Sequence, residues 1–596
     1  MAPKPTAPPA IHAGKVASDS PMDAEFKTIR EIFAEQNLQP PSLNVLVPDA
    51  QFYETLAIQP GGEIATRPDF VGHANQREAA SQFSAFLRLA LEKDCDLVLS
   101  PEYSCPWQVL TNAIANQCLP QAGKVWILGC EAITRDKLLA VIAAHTDVVW
   151  IHEPIPEHAA GFLDVLAYVT KGKTRTNSTK HVVVLQFKTQ AMGGDTYERD
   201  HLICGRAIYV WHNPQDNIRL ISLICSDTLV FDDAAAGQCR FDLHPYVIFH
   251  PQLIADPHHI DISSYRHRLF GQAVSERTEV VTLNWARGFT LPAKPPALYG
   301  GSAVYTKAPQ FESCDARLEA NHKKGLFYTY WHERRTKLCI FSFNQHVFHY
   351  RTPKTMQSVG AVLAQRTGPE MLSLRHWDAH TGSWKDSSSS DDGFATLCDE
   401  FQEQGCDYCL CDPHTTVDRE RLLTLSAGKL RPARDWHEVG HMDSFTTYPD
   451  ERSKRLTFTH EQAQASDDFR RQHLARYIKL QMSVLPNPAH FPPPIQDLIG
   501  DWRLQPPSAA SGFRFNLISR SGRVQGATVM FLGLVSDDFV QRLMDDLLRA
   551  WDKPEEMRRL VIWYESPNAI RCLHPPLFSI TDGIELPASI TRSASS

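Results

Sequence analysis

"REAASQFSAFLRLALEKDCDLVLSPEYS", residues 77–104, decides the fold class. Its first part carries apolar residues at helical spacing, and "CDLVLSPEYS" is a short continuous apolar run between breakers, which reads as a buried strand. Upstream, "SLNVLVPDA" (42–50) is a candidate strand, so the three runs spell β-α-β grammar. The grammar continues through "KVWILGCEAI" (124–133), "KHVVVLQFK" (180–188), "AIYVWH" (207–212), "IRLISLIC" (218–225), "YVIFHP" (246–251) and "EVVTLNWA" (279–286) to "KLCIFSFNQHVFHY" (337–350). One layered α/β domain is expected over 42–355.

The chain has 596 residues, too many for one hydrophobic core, because single cores stop growing at roughly 250–300 residues. With 43% hydrophobic and 21% charged residues it has an ordinary globular balance. A net charge of -8 argues against a chain whose main partner is a phosphate backbone, and the local patch "HERRTK" (332–337) reads as a solvated strand end. Residues 1–41 read as a flexible Pro-rich tail with no secretory-type apolar stretch, and no window approaches a membrane helix, so a cytoplasmic protein is expected. There its fourteen cysteines stay thiols.

Polar reactive residues stand where apolar strands end. Glu102 follows "LVLSP", Lys188 closes "VVVLQFK" and Cys225 closes "LISLIC". Each alone is explained by a solvated strand end or a buried packing thiol. Together they are what acyl transfer through a thioester requires: a nucleophile, a base and a fixed positive charge for the oxyanion.

In these contexts, "SPEY", "QFKT" and "ICSD", the chain resembles the nitrilase superfamily of carbon–nitrogen hydrolases, which carries a Glu-Lys-Cys triad in this order. The resemblance covers residues 42–355 and implies a four-layer α/β/β/α sandwich, pairing into dimers or larger assemblies, and a small-molecule substrate without a cofactor. The three residues are 86 and 37 positions apart. The first interval is somewhat long, with the extra length expected in 152–179. The family often has a second glutamate after the lysine, and Glu198 in "TYERD" occupies that place. The family reading makes Glu102 the base, Lys188 and the backbone N–H of Ser226 the oxyanion donors, and Cys225 the nucleophile. Ser226 stands where the family usually has an aromatic residue, and "PEYSCPW" lacks the usual glycine-aromatic pair. Cys105 is a rival thiol without an apolar strand leading straight into it.

The remainder, 356–596, is expected to be a second α/β or α+β region of unassigned role. "GSWKDSSSSDDG" (382–393) reads as a linker, and proline breaks fall near 486–495 and 504–512. Then "ATVMFLGLV", a helix capped by Ser536, and "RLVIWYE" form a strand-helix-strand unit. His437, Glu438 and His441 match the H-E-x-x-H metalloprotease spacing, in a context broken by Gly428 and Pro432. Cys406, Cys409, Cys411 and His414 are possible soft ligands, but a thiol-rich buried strand is the favoured reading, since structural zinc usually shows two well-separated ligand pairs. Two readings therefore stand beside the hydrolase: a nitrilase-like scaffold or sensor whose C-terminal region binds a partner protein, and a zinc protease. No membrane partner and no nucleic acid are expected.

Overall fold

The computed structural model describes residues 24–47, 52–157, 160–174, 176–192, 196–215, 218–229, 244–255, 278–297, 300–307, 323–331, 336–353, 368–387, 464–506, 515–550, 559–567 and 569–576, with short pieces at 265–266, 269–270, 317, 320–321, 422–423 and 425–428. The chain is α/β, built on two large sheets that share an apolar layer. A ten-stranded sheet contains Phe52–Gln59, Leu97–Cys105, Val125–Ile133, Leu163–Thr174, Thr179–Phe187 and His346–Pro353, and an eight-stranded sheet contains Ala207–His212, Arg219–Ser222, Tyr246–Pro251, Glu279–Leu283, Ala303–Lys307 and Thr336–Phe341.

Alternation along the strands explains the packing. Leu166, Tyr168, Val182 and Val184 of the first sheet meet Tyr209, Trp211, Leu220 and Phe249 of the second in one buried cluster. The opposite residues of the first sheet, such as Val165, Val169, Val183 and Leu185, pack with the helices Gln76–Glu92 and Trp107–Ala115. The first of these helices begins where Asn75 accepts a hydrogen bond from the Glu78 N–H at 3.3 Å, and it buries Phe83, Phe86, Leu87 and Ala90. The outer face of the second sheet carries Tyr265, Leu269 and Phe270.

Several expectations are corrected. The sheets take strands from beyond both expected domain limits, 42 and 355. Glu25–Thr28 runs parallel to Ala207–His212, and Glu370–Asp378 with Ser383–Asp386 extends the ten-stranded sheet beyond Pro353. The expected tail therefore contributes a strand and the helix Ile29–Glu35, and the start of the expected linker is a strand that buries Trp384. In the described part of "SLNVLVPDA", Asn44–Leu46 forms a 3-10 turn, and the first strand of the ten-stranded sheet proper is Phe52–Gln59. The segment assigned to extra length holds Leu163–Thr174, an interior strand antiparallel to both Val125–Ile133 and Thr179–Phe187. "KLCIFSFNQHVFHY" splits between the two sheets at a turn.

In the C-terminal part, Thr528–Leu534 pairs in parallel with Leu560–Ser566, which pairs antiparallel with Ala569–Leu573. The helix Asp537–Ala550 starts where Ser536 Oγ accepts from the Phe539 N–H at 3.3 Å, as expected, and it buries Val540, Leu543, Met544 and Leu547. The proline segment does not break this unit. Its 3-10 turns Pro488–His490 and Pro493–Leu498 carry Phe491, Ile495 and Leu498 into the core beside Tyr477 and Trp563. Residues 1–23, His437, Glu438, His441, Cys406, Cys409, Cys411 and His414 lie outside the described residues. Among the described residues no helix is long and apolar enough to cross a membrane.

Candidate active site

The site forms where strands of both sheets end. Lys188 immediately follows Thr179–Phe187 and continues its register, with its N–H donating to the Asp164 carbonyl at 3.1 Å. Even-numbered residues of this strand face the inter-sheet layer, so Lys188 points there with Val182 and Val184. Asp164 is its cross-strand neighbour and has the same inward parity as Leu166 and Tyr168.

Glu102 reaches the same space through an irregularity. The pairing of Leu97–Cys105 with Val125–Ile133 slips between Ser100 and Cys105, where Tyr103 has a φ of 55°. The slip is possible because its partner is Gly129, whose missing Cβ would sit 2.1 Å from the Pro101 carbonyl oxygen. The indole N–H of Trp285 donates to the Glu102 carbonyl at 2.9 Å and anchors the bulge.

Cys225 opens a 3-10 turn three residues past Arg219–Ser222, with a φ of 42°. A left-handed conformation costs a residue with a Cβ about 1–2 kcal/mol, and its neighbours hold it there. Asp227 accepts from the Ile224 N–H at 2.9 Å and from both the N–H and hydroxyl of Thr189 at 2.8 Å. Thr228 donates to the Cys225 carbonyl at 3.0 Å. The turn is thereby stitched to the residue that follows Lys188. Burial pushes the Asp227 carboxyl up to about 6 against these hydrogen bonds.

These elements bring together side chains far apart in sequence. Lys188 Nζ donates to Glu102 Oε1 and to Glu198 Oε1, both at 2.7 Å, and lies 3.9 Å from Asp164 Oδ2. Glu198, on the short helix Thr196–His201, also accepts from the Tyr103 hydroxyl at 2.9 Å and the Met192 N–H at 2.7 Å. Glu102, Asp164 and Lys188 are each 1% exposed, and Glu198 and Cys225 are 2% exposed. Glu102, Asp164 and Glu198 could gather a cation, since their oxygens lie within 4.8 Å of one another. The ammonium of Lys188 occupies that position. Two ionised carboxyls at such a separation repel by about 3–4 kcal/mol at an effective dielectric constant of about 20.

The electrostatics follow from burial. Desolvation pulls the Lys188 ammonium down, but Glu102, Glu198, Cys225 and Asp164 outweigh it and hold the group well above its usual range. Burial raises Glu102, with Lys188 opposing and Glu198 reinforcing. Burial and the Glu102 charge push the Cys225 thiol well up, while Lys188 and the Leu253 N–H pull the other way. Sulfur therefore rests here as a thiol, and any attack needs a base.

Sequence reasoning named Glu102, Lys188 and Glu198, which are in direct contact, and Cys225, which lies within their electrostatic reach. Ser226 is fully buried and its hydroxyl donates to the Gln190 carbonyl at 2.6 Å, so the serine ties the cysteine turn to the chain beyond Lys188. Cys105 lies elsewhere. It packs with Val109 and Leu110 on the helix side of the sheet and pairs with Cys130. Sequence reasoning missed Asp164, Tyr103, Asp227 and Trp285. Asp164 could have been found as the one carboxylate interrupting the apolar run "FLDVLAYV". A scan of the chain against protein-family models finds no match, and no curated protein matches it.

Proposed function

We propose that the protein hydrolyses a non-peptide carbon–nitrogen bond, in an amide, carbamoyl or nitrile substrate, through a thioester on Cys225. The observation that carries this reading is the buried ammonium of Lys188 held between Glu102 and Glu198 at 2.7 Å, beside a cysteine displayed on a left-handed turn. Glu102 takes the Cys225 proton as sulfur bonds to the substrate carbon. The oxyanion is met by the Lys188 ammonium and the Ser226 N–H, a donor of this kind being worth about 2.7–4 kcal/mol of barrier. In an amide or carbamoyl substrate Glu102 passes its proton to the departing ammonia or amine as the C–N bond breaks; a nitrile first gives a thioimidate, to which water adds before ammonia leaves. The same carboxylate then takes a proton from water as its hydroxide adds to the thioester, and returns that proton to sulfur as the C–S bond breaks, releasing the acid and restoring the Cys225 thiol and the Glu102 carboxylate. Glu198, fixed by three donors, orients Lys188.

The reading extends to a four-layer α/β/β/α sandwich and to assembly through that domain. It also implies a reducing compartment such as the cytoplasm, which suits the eight described cysteines, all free. The test is intact-mass detection of an acyl adduct during incubation with a metabolite pool. The adduct is expected on the wild type and absent in Cys225→Ala, which is expected to fold and to lose turnover. Wild-type turnover in Cys225→Ala would overturn the assignment.

A further inference from the structure

Asp164 is not part of the Glu-Lys-Cys arrangement, yet it is built into it. It is 1% exposed, and neither carboxyl oxygen has a hydrogen-bond donor among the ordinary donors of the described residues. The nearest cation, Lys188 Nζ, is 3.9 Å away and already donates at 2.7 Å to Glu102 and Glu198. Among the described residues the remaining neighbour able to share a hydrogen bond is the carboxyl of Glu102, and two ionised carboxyls cannot donate to each other.

A proton must therefore sit on this pair. Three ionised carboxyls around one ammonium would leave two uncompensated negative charges in a dry site, which is avoided by protonation. The hydrogen bonds say where. Glu198 takes three donors and Glu102 takes Lys188, while Asp164 takes none. Among the described residues, the charged and titratable groups that face Asp164 are Glu102, Lys188, Glu198 and the Tyr103 hydroxyl, which come from the neighbouring strands and the short helix. Burial and the Glu102 charge raise the Asp164 carboxyl well above the usual carboxylate range, in agreement with this count.

We propose that Asp164 is a positioning residue: it stays neutral, donates its carboxyl proton in a hydrogen bond to Glu102, and so keeps Glu102 an ionised acceptor aimed at the Cys225 thiol. The catalytic consequence rests on the hydrolase reading, while the location of the proton does not. During turnover Asp164 keeps its own proton, and only the Cys225 proton shuttles through Glu102.

Two measurements on the full chain decide it. Infrared spectroscopy of protein labelled with 13C-carboxyl aspartate is expected to contain, at pH 7, a protonated-carboxyl C=O band that disappears in Asp164→Asn. The pH midpoint of Cys225 alkylation by iodoacetamide is expected to stay within a few tenths of a unit in Asp164→Asn, which retains an N–H donor, and to move by about one unit or more in Asp164→Ala. A wild-type spectrum without that band, or a midpoint displaced by asparagine as far as by alanine, would overturn the proposal. Should Asp164→Ala not fold, the band and the Asp164→Asn midpoint decide alone. Neither readout needs turnover, so a missing acyl adduct would count against the hydrolase reading and not against this one.

Discussion

Replacing Lys188 by methionine tests the electrostatic account of the site most severely, because in the proposed reading the ammonium serves stability and chemistry at once. Its 2.7 Å contacts with Glu102 and Glu198 are each attractions of about 6 kcal/mol at an effective dielectric constant of about 20. Most of that offsets desolvation, and removing one partner of a buried pair typically costs about 3–5 kcal/mol. The orphaned carboxyls escape by binding a proton. For a glutamate with an unfolded pKa near 4.3 that costs about 1 kcal/mol at pH 5 and about 5 kcal/mol at pH 8. The sign follows: the folded variant binds more protons than its unfolded chain, so its stability falls as pH rises toward the raised folded pKa. Urea unfolding of both proteins at pH 5 and pH 8 should therefore give a stability gap that widens by several kcal/mol at the higher pH. Turnover, once a substrate is in hand, should drop about 10²–10³-fold from loss of the oxyanion donor. An equal gap at both pH values would refute the reasoning, because it would mean that no carboxylate depends on this ammonium for its charge.

Three further outcomes are expected. Gly129→Ala forces a Cβ to within 2.1 Å of the Pro101 carbonyl oxygen, so thermal unfolding should reveal a loss of about 1–3 kcal/mol, with acyl-adduct formation falling as Glu102 is displaced. Alkylation of Cys225, followed by mass spectrometry, should be slow at pH 7 and rise only above the ~8.5 of a free thiol; a midpoint below that value would mean that Lys188 outweighs burial. In the C-terminal unit Asn516 brackets Val529, accepting from its N–H at 2.8 Å and donating to its carbonyl at 2.9 Å. Asn516→Ala leaves both groups buried and unpaired, a cost of about 1–3 kcal/mol, so it should lower the urea midpoint of that unit without changing Cys225 alkylation.

Strands with an unbroken apolar run bounded by polar residues were legible to the residue, as at Ala207–His212 and Tyr246–Pro251. Phe52–Gln59 was missed because Glu54 and Thr55 interrupt it, while the described part of the more apolar "SLNVLVPDA" closes a 3-10 turn. A single run, 337–350, hid a change of sheet, since composition says nothing about which partner a strand chooses. Glu102, Lys188 and Glu198 could be picked out because reactive side chains at strand ends are visible in one dimension. The bulge that aims Glu102 was not, because it depends on Gly129 in a neighbouring strand, and the left-handed turn at Cys225 leaves no residue-type signal. Asp164 was hidden for a related reason: its meaning comes from its cross-strand neighbour, and the segment around it had been read as extra length.

The two-sheet arrangement has a mechanical corollary. Glu102, Asp164 and Lys188 ride on one slab and the sulfur on the other, so the gap that the proposed proton transfer would cross is gauged by the thickness of the apolar filling between the slabs. Stacked Tyr168 and Trp211, with ring centroids 5.0 Å apart, are spacers in that caliper. Shaving either ring would thin the spacer and change the distance between sulfur and carboxylate, so under the proposed mechanism the apolar filling would set part of the reaction's tempo.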